Sequence, residues 1–301
     1  MPYFRIPKSG VLVFNYSNSI TELIIDMNPI SNTAFYCCGV RMLDSEHPRS
    51  LCNDIFAKRF MDERGMQIFE PFISETIPNI SNTVRCHIID ESIHSQLIEY
   101  PDSLIVTVGA GFDTRPYRFK GGNWVEIDEP QIILYKNEKL PIAECANNLT
   151  RILIDFSNET LIEKLEAYCT HQNIIIVIEG VFMYLEDDAI ESTIKQLQML
   201  FPKHILLCDL MTKKMFEKFA RNMHNKLVEV GAQFTTRPDN PAAIFERHAY
   251  TESSRTPIFK RGYELGVLWD RARIPAPIAN LLYKTIMKDI SGYAIHRFEY
   301  G

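Results

Sequence analysis

Five short apolar runs, each closed by an acidic residue or a glycine, constrain this chain more than any other feature. They are Leu104–Gly109, Trp124–Asp128, Arg151–Asp155, Asn173–Glu179 and His204–Asp209. Runs of this length, rich in Ile, Val and Leu, suit strands covered on both faces. Helical patterns separate them. Ile190, Ile194, Leu197 and Leu200 fall on one helix face, with Asp188 expected as the cap and Glu191 as its capping-box partner. Asn158–Tyr168 repeats the pattern with Leu161, Ile162 and Leu165. Strand–helix alternation at this spacing builds crossovers and a parallel sheet, so the expected class is α/β, doubly wound and mostly parallel.

The flanks read differently. Residues 1–100 carry helical patterns, such as Asp54–Met61 and Val84–Ile98, and are expected to form a helical cap over one end of the sheet. Residues 101–210 form the cofactor-binding core. Residues 211–250 read as an inserted lid, and 251–301 hold two last strands, Glu264–Leu268 and Tyr293–Tyr300. All 301 residues are read as one domain, long enough for a sizeable core.

Composition removes several classes. The formal net charge is −6, which disfavours unspecific nucleic-acid or anionic-membrane binding. The apolar run Ile174–Ile178 is far short of the roughly 20 residues that cross a bilayer. Met1–Arg5 does not begin a leader pattern, and the seven scattered cysteines match no zinc spacing. They read as reduced core thiols, and the expected location is cytoplasmic.

In open parallel sheets, ligands bind beyond the carboxyl ends of the strands. There the runs place Gly109-Ala-Gly-Phe-Asp-Thr114, a partial match to the GxGxxG turn with Thr in the last position. Nineteen residues after Gly109 comes Asp128, near the roughly 20-residue spacing of a carboxylate that grips ribose hydroxyls. A pyrophosphate dinucleotide wants few anions nearby, yet this edge gathers Asp113, Asp128, Asp155 and Glu179. Four carboxylates suit a sulfonium and an ammonium instead, as in S-adenosyl-L-methionine (SAM).

The same residues resemble a known family. Val108-Gly-Ala-Gly-Phe-Asp-Thr-Arg-Pro-Tyr-Arg118, then Glu126-Ile-Asp128 with Pro130 and Tyr135-Lys136, then Ile178-Glu-Gly-Val-Phe-Met-Tyr-Leu185, are similar to three blocks of the leucine carboxyl methyltransferase-like family, which includes polyketide-type O-methyltransferases. Asn32-Thr-Ala34 with Arg41, and Arg85 with Asp90, resemble weaker blocks. The resemblance runs from about residue 30 to 210 and implies a class I methyltransferase-type fold. It also implies roles. Gly109, Ala110 and Gly111 would let the backbone approach the methionine part of SAM, and Arg85 would pair its carboxylate. Asp128 would accept from the ribose, Asp155 from the adenine amino group, with Phe156 beside the ring. Glu179 would hold the ammonium or its neighbouring backbone, and Tyr184, on resemblance alone, would lie near the methyl as the catalytic candidate.

Plainer roles stay open. Arg85 could be a surface charge, Asp155 a turn cap, and Tyr184 core; Arg115 and Arg118 read as structural partners of crowded carboxylates. His87 and His94 share a helix face without a completing carboxylate, so no metal is expected. His248 and His296 are candidate general bases for a hydroxyl acceptor, though packed or exposed histidines are commoner. No Gly-x-Ser-x-Gly elbow or P-loop supports hydrolase or kinase chemistry. The expected activity is SAM-dependent O-methyl transfer to a carboxylate or hydroxyl of a small-molecule or protein-carboxylate acceptor, to which Lys213 or Arg237 could be drawn. Its rivals are a nicotinamide-dependent oxidoreductase and a SAM-binding protein without transferase activity.

Overall fold

A computed structural model describes residues 29–301 apart from 230, 236, 237, 276, 279, 282, 283 and 286–289. Met1–Arg5 and Arg237 therefore lie outside the described residues. Seven strands form one sheet: β1 (Leu104–Val108), β2 (Asn123–Asp128), β3 (Asn148–Leu153), β4 (Ile174–Ile178), β5 (His204–Met211), β6 (Thr251–Pro257) and β7 (Tyr293–Tyr300). Their order is β3-β2-β1-β4-β5-β7-β6. The first five are parallel, whereas β7 runs antiparallel to both β5 and β6. The sheet is thus α/β and mostly parallel. The order reverses between β1 and β4, and the crevice beyond such a switch point is where a ligand is expected.

Alternate residues of the central strands feed two cores. Val106, Val125, Ile127 and Ile176 pack on one face with α7 (Asp187–Leu200) through Ile190, Ile194 and Leu197. On the other face, Ile105, Trp124, Ile175, Val177 and Leu207 meet α3 (Thr76–Glu99) through Ile80, Val84, Ile88 and Ile93. The long α3 is therefore a layer of the sandwich rather than a cap over one end. A third core joins α1 (Pro29–Ser45) and α2 (Glu63–Phe69) to the lid, with Phe35, Phe60, Phe72, Phe216, Leu227 and Phe234 together. The segment expected as a lid holds a helical run, Lys213–Met215, a π-turn Phe216–Ala220, and α8 (Arg221–Glu229).

Several local expectations need correction. Helix α7 starts at Asp187 with Glu186 as N-cap and makes no side-chain capping bond, so the Asp188–Glu191 box does not form; both first-turn acids still favour the helix dipole. Asn158–Tyr168 is shorter in helix: Thr160 and Glu163 form a capping box for α6 (Leu161–Leu165), and a 3-10 turn follows at Glu166–Tyr168. Asp54–Met61 holds only a 3-10 turn, Ala57–Phe60. Strand β3 begins three residues before Arg151 and ends before Asp155. As a sheet edge it alternates buried and exposed positions, which a search for unbroken apolar runs overlooks. Glu264–Leu268 is no strand: it is where α9 (Ile258–Glu264) gives way, through Gly266 at φ 75°, to α10 (Val267–Ala272). The strand beside β7 is Thr251–Pro257, a polar edge with an irregular register between Glu252 and Ser254, features that discourage edge pairing.

Candidate active site

Beyond the carboxyl ends of β1, β2 and β4 lies a cavity of about 890 Å³. Its floor is the Gly109–Asp113 turn. Gly109 has φ 69°, and a Cβ there would meet Val181 Cγ2 at 2.5 Å. Gly111 has φ 48° and donates its backbone N–H to Asp128 Oδ2 at 2.5 Å. Only glycine takes this path without strain and leaves the backbone open to a ligand.

Asp128 ends β2, is 8% exposed and accepts a second bond from Glu129 N at 2.7 Å. Burial pushes its carboxyl up to about 6, against the lowering effect of those two N–H donors. Of the acids expected here, it alone lines the cavity without an ion pair among the described residues. The others differ. Burial alone would raise Glu179, but Arg115 and Arg85 hold it below its ordinary range: its Oε2 lies 2.8 Å from Arg115 Nη2 and its Oε1 2.9 Å from Arg85 Nε. Asp113 is likewise lowered by Arg115, at 3.1 Å, despite burial. Of the four carboxylates expected at this edge, arginines balance two, Glu179 and Asp113.

Those arginines come from helices, Arg85 from α3 and Arg115 from the short α4 (Arg115–Arg118). Arg85, on α3, is 7% exposed and is no surface charge. Its Nε binds Glu179, its Nη1 reaches Tyr293 Oη at 3.0 Å and Asp209 Oδ2 at 3.3 Å, and its Nη2 meets, among the described residues, Cys37 Sγ at 3.6 Å. Arg115 and Arg118 take the structural part expected of them, clasping Asp90 of α3 at 2.5 and 2.7 Å. Arg41 of α1 binds Asp54 and donates to the Phe112 carbonyl at 2.6 Å, fixing the far end of the glycine turn. The sequence blocks around Arg41, Arg85 and Asp90 thus meet at one loop. Behind it, Lys136 and Arg151 both hold Glu126 at 2.8 Å, locking α5 (Pro130–Lys139) to β2 and β3.

Asp155 is placed differently. It follows β3, and its carboxylate accepts from Ser157 N at 2.9 Å and Asn158 Nδ2 at 2.7 Å, the turn-capping arrangement. Its side chain does not line the cavity, whereas Phe156, 43% exposed, does. Tyr184 lines it too, half-buried and edge-on to Phe234 at 5.3 Å. The end of β5 contributes Met211 to the wall, and the residues after it contribute Met215, Phe219, Met223, Leu227 and Phe234. Among the described residues, no histidine or lysine lines the cavity. His296 pairs with Glu252 and His248 with Glu191, away from it, so neither candidate base is placed to act there. Lys213 is exposed and outside the wall. His87 bonds the Leu51 carbonyl, and no metal-ligating cluster is present among the described residues. No helix among them is long and apolar enough to cross a membrane.

The sequence profile of leucine carboxyl methyltransferases matches residues 34–198, more than half of the chain. The protein belongs to the leucine carboxyl methyltransferase family. Its fold is shared with a DUF574 family protein from Streptomyces avermitilis, 11% identical, with a TM-score of 0.54 over 86% of this chain and 100% of that one. A Thermobifida fusca protein provisionally named a methyltransferase is 12% identical, with a TM-score of 0.50 over 84% and 98%. Magnesium protoporphyrin IX methyltransferase from Synechocystis PCC 6803, solved with S-adenosylhomocysteine (SAH) bound, is 9% identical, with a TM-score of 0.46 over 80% and 97%. No curated protein matches the sequence. The family sets aside the nicotinamide reading: the chain is a methyltransferase, and its methyl donor is SAM. The cavity fits that donor: Gly109 has no room for a Cβ, Gly111 takes a positive φ, and beside them stand Asp128 and the arginine-paired Glu179.

Proposed function

We propose that this methyltransferase places the methyl on an oxygen, a carboxylate in preference to a hydroxyl, of an apolar acceptor that enters beneath the lid. One observation carries this reading: among the described residues, the wall beyond the glycine turn is Met- and Phe-rich, with tyrosine hydroxyls and no histidine or lysine. Burial holds Tyr36, Tyr184 and Tyr293 above the ordinary phenol range, so they donate hydrogen bonds at neutral pH rather than accept a proton. A hydroxyl acceptor needs a base; a carboxylate does not.

The chain's own residues then act mostly by positioning. Gly109, Ala110 and Gly111 present backbone to the methionine part, and Asp128 takes the ribose hydroxyls. Phe156 lies beside the adenine. The Nη2 edge of Arg85 is the free edge for the carboxylate, and Glu179, next to it, faces the ammonium. Tyr184, beneath Phe234, orients the acceptor near the methyl. When bound, SAM supplies a sulfonium methyl whose transfer needs an aligned nucleophile and no further activation.

The test is methyl transfer from labelled SAM to matched apolar carboxylic acids, phenols and peptides with a free C-terminus. Transfer to acids at saturating SAM, with a rate flat from pH 7 to 9, is expected. Transfer confined to phenols, rising with their ionisation, overturns the carboxylate preference; SAM bound with no acceptor methylated by active-folded protein overturns the transferase reading.

A further inference from the structure

Asp209 lies inside β5 with its carboxylate fully buried, and it does not line the cavity. A buried carboxylate is costly unless every lone pair is used well, and this one is used by three elements. Oδ1 accepts from Gly180 N at 2.6 Å, which holds the turn leaving β4 directly after Glu179. Oδ2 accepts from Tyr293 Oη of β7 at 2.8 Å and from Arg85 Nη1 of α3 at 3.3 Å. Tyr293 Oη in turn accepts from Arg85 Nη1 at 3.0 Å. The consequence for Arg85 is directional. Nη1 is spent on Asp209 and Tyr293 and Nε on Glu179, so only the Nη2 edge, beside Cys37, is left toward the cavity.

We propose that Asp209, with Tyr293, is a positioning residue for the amino-acid end of the cofactor: it sets the Arg85 guanidinium and the Glu179–Gly180 turn at a fixed separation, so that a carboxylate and an ammonium on one carbon are met together. The inference rests on the reading of Arg85 and Glu179 above. Sequence reasoning noted Asp209 as one more acid at a strand end. Its partners lie 29, 84 and 124 residues away along the chain, which no local pattern reveals.

The experiment compares two ligands by calorimetry: SAH, which carries both amino-acid charges, and 5′-methylthioadenosine, which keeps the adenosine and thioether but neither charge. Asp209→Asn keeps the Gly180 acceptor and removes the charge facing Arg85. It is expected to weaken SAH about ten- to hundredfold and methylthioadenosine by less than about twofold. Tyr293→Phe, a milder change, is expected to shift the same ratio about threefold in the same direction. Equal changes for both ligands, or none, in Asp209→Asn overturn the proposal; if that variant does not fold, an unchanged ratio in Tyr293→Phe overturns it. Arg85→Gln separates the underlying reading. If it lowers the ratio while the other two do not, only the positioning role has failed. If it too leaves the ratio unchanged, Arg85 does not meet the carboxylate and the reading beneath has failed.

Discussion

Protonation of Asp128 and cofactor binding compete for the same oxygens. Burial raises this carboxyl from 3.8 to about 6, while the Gly111 and Glu129 N–H groups already bond to it. Ribose hydroxyls donate to the ionised form, so binding is strongest where Asp128 is charged and weakens as pH falls through about 6. One unit below that, at pH 5, the dissociation constant for SAH should be roughly tenfold higher than at pH 7, since each unit is worth about 1.4 kcal/mol. The free protein moves the opposite way. A carboxyl raised in the fold contributes stability when protonated, fully present below 3.8 and lost as pH rises through about 6, a change of about 3 kcal/mol. Calorimetric titration with SAH from pH 8 to 5, beside Asp128→Asn, tests this. The variant should bind more weakly by about 1–3 kcal/mol at pH 7 and show little pH dependence. Glu129 is also raised, by burial and by Asp128. A flat profile in the wild type, or the same slope kept in Asp128→Asn, refutes the assignment to Asp128.

Gly109→Ala should destabilise the fold by about 1–3 kcal/mol in urea melts, from its positive φ and the collision with Val181; the loss should shrink when Val181→Ala is added, and an additive pair would show that the collision is not the cause. In the buried trio, Glu126→Gln strands two cations and should cost about 3–5 kcal/mol. Lys136→Met leaves the Glu126–Arg151 pair neutral and should cost less; the reverse order would mean packing, not charge, governs this site. Tyr184→Phe should lower the methyl-transfer rate about two- to tenfold while SAH affinity holds, for the loss of one hydrogen bond; a drop in affinity with an unchanged rate would place Tyr184 with the cofactor instead.

The parallel core was legible because buried strands concentrate Ile, Val and Leu without interruption, as Ile174–Ile178 does. Edge strands β3 and β6 were misplaced because water on one side lets polar residues alternate in, so Asn148–Arg151 and Thr251–Thr256 look like loop. The glycine turn and Asp128 could be read from spacing, since a turn and the next strand end are close in both chain and space. Asp155 could not: its carboxylate follows whichever donors lie nearest, and those are in its own turn.

What the linear chain determined by itself was local: which runs extend, which turn demands glycine, and which acids stand at strand ends. Charge balance was decided only on folding. Arg85, Arg115 and Asp209 find partners through helices and strands distant in the chain, because a buried ion is stable only where geometry brings its counter-ion to within hydrogen-bonding reach. The tertiary fold thereby paired two of the expected acids, Glu179 and Asp113, with arginines and left Asp128 to its backbone donors.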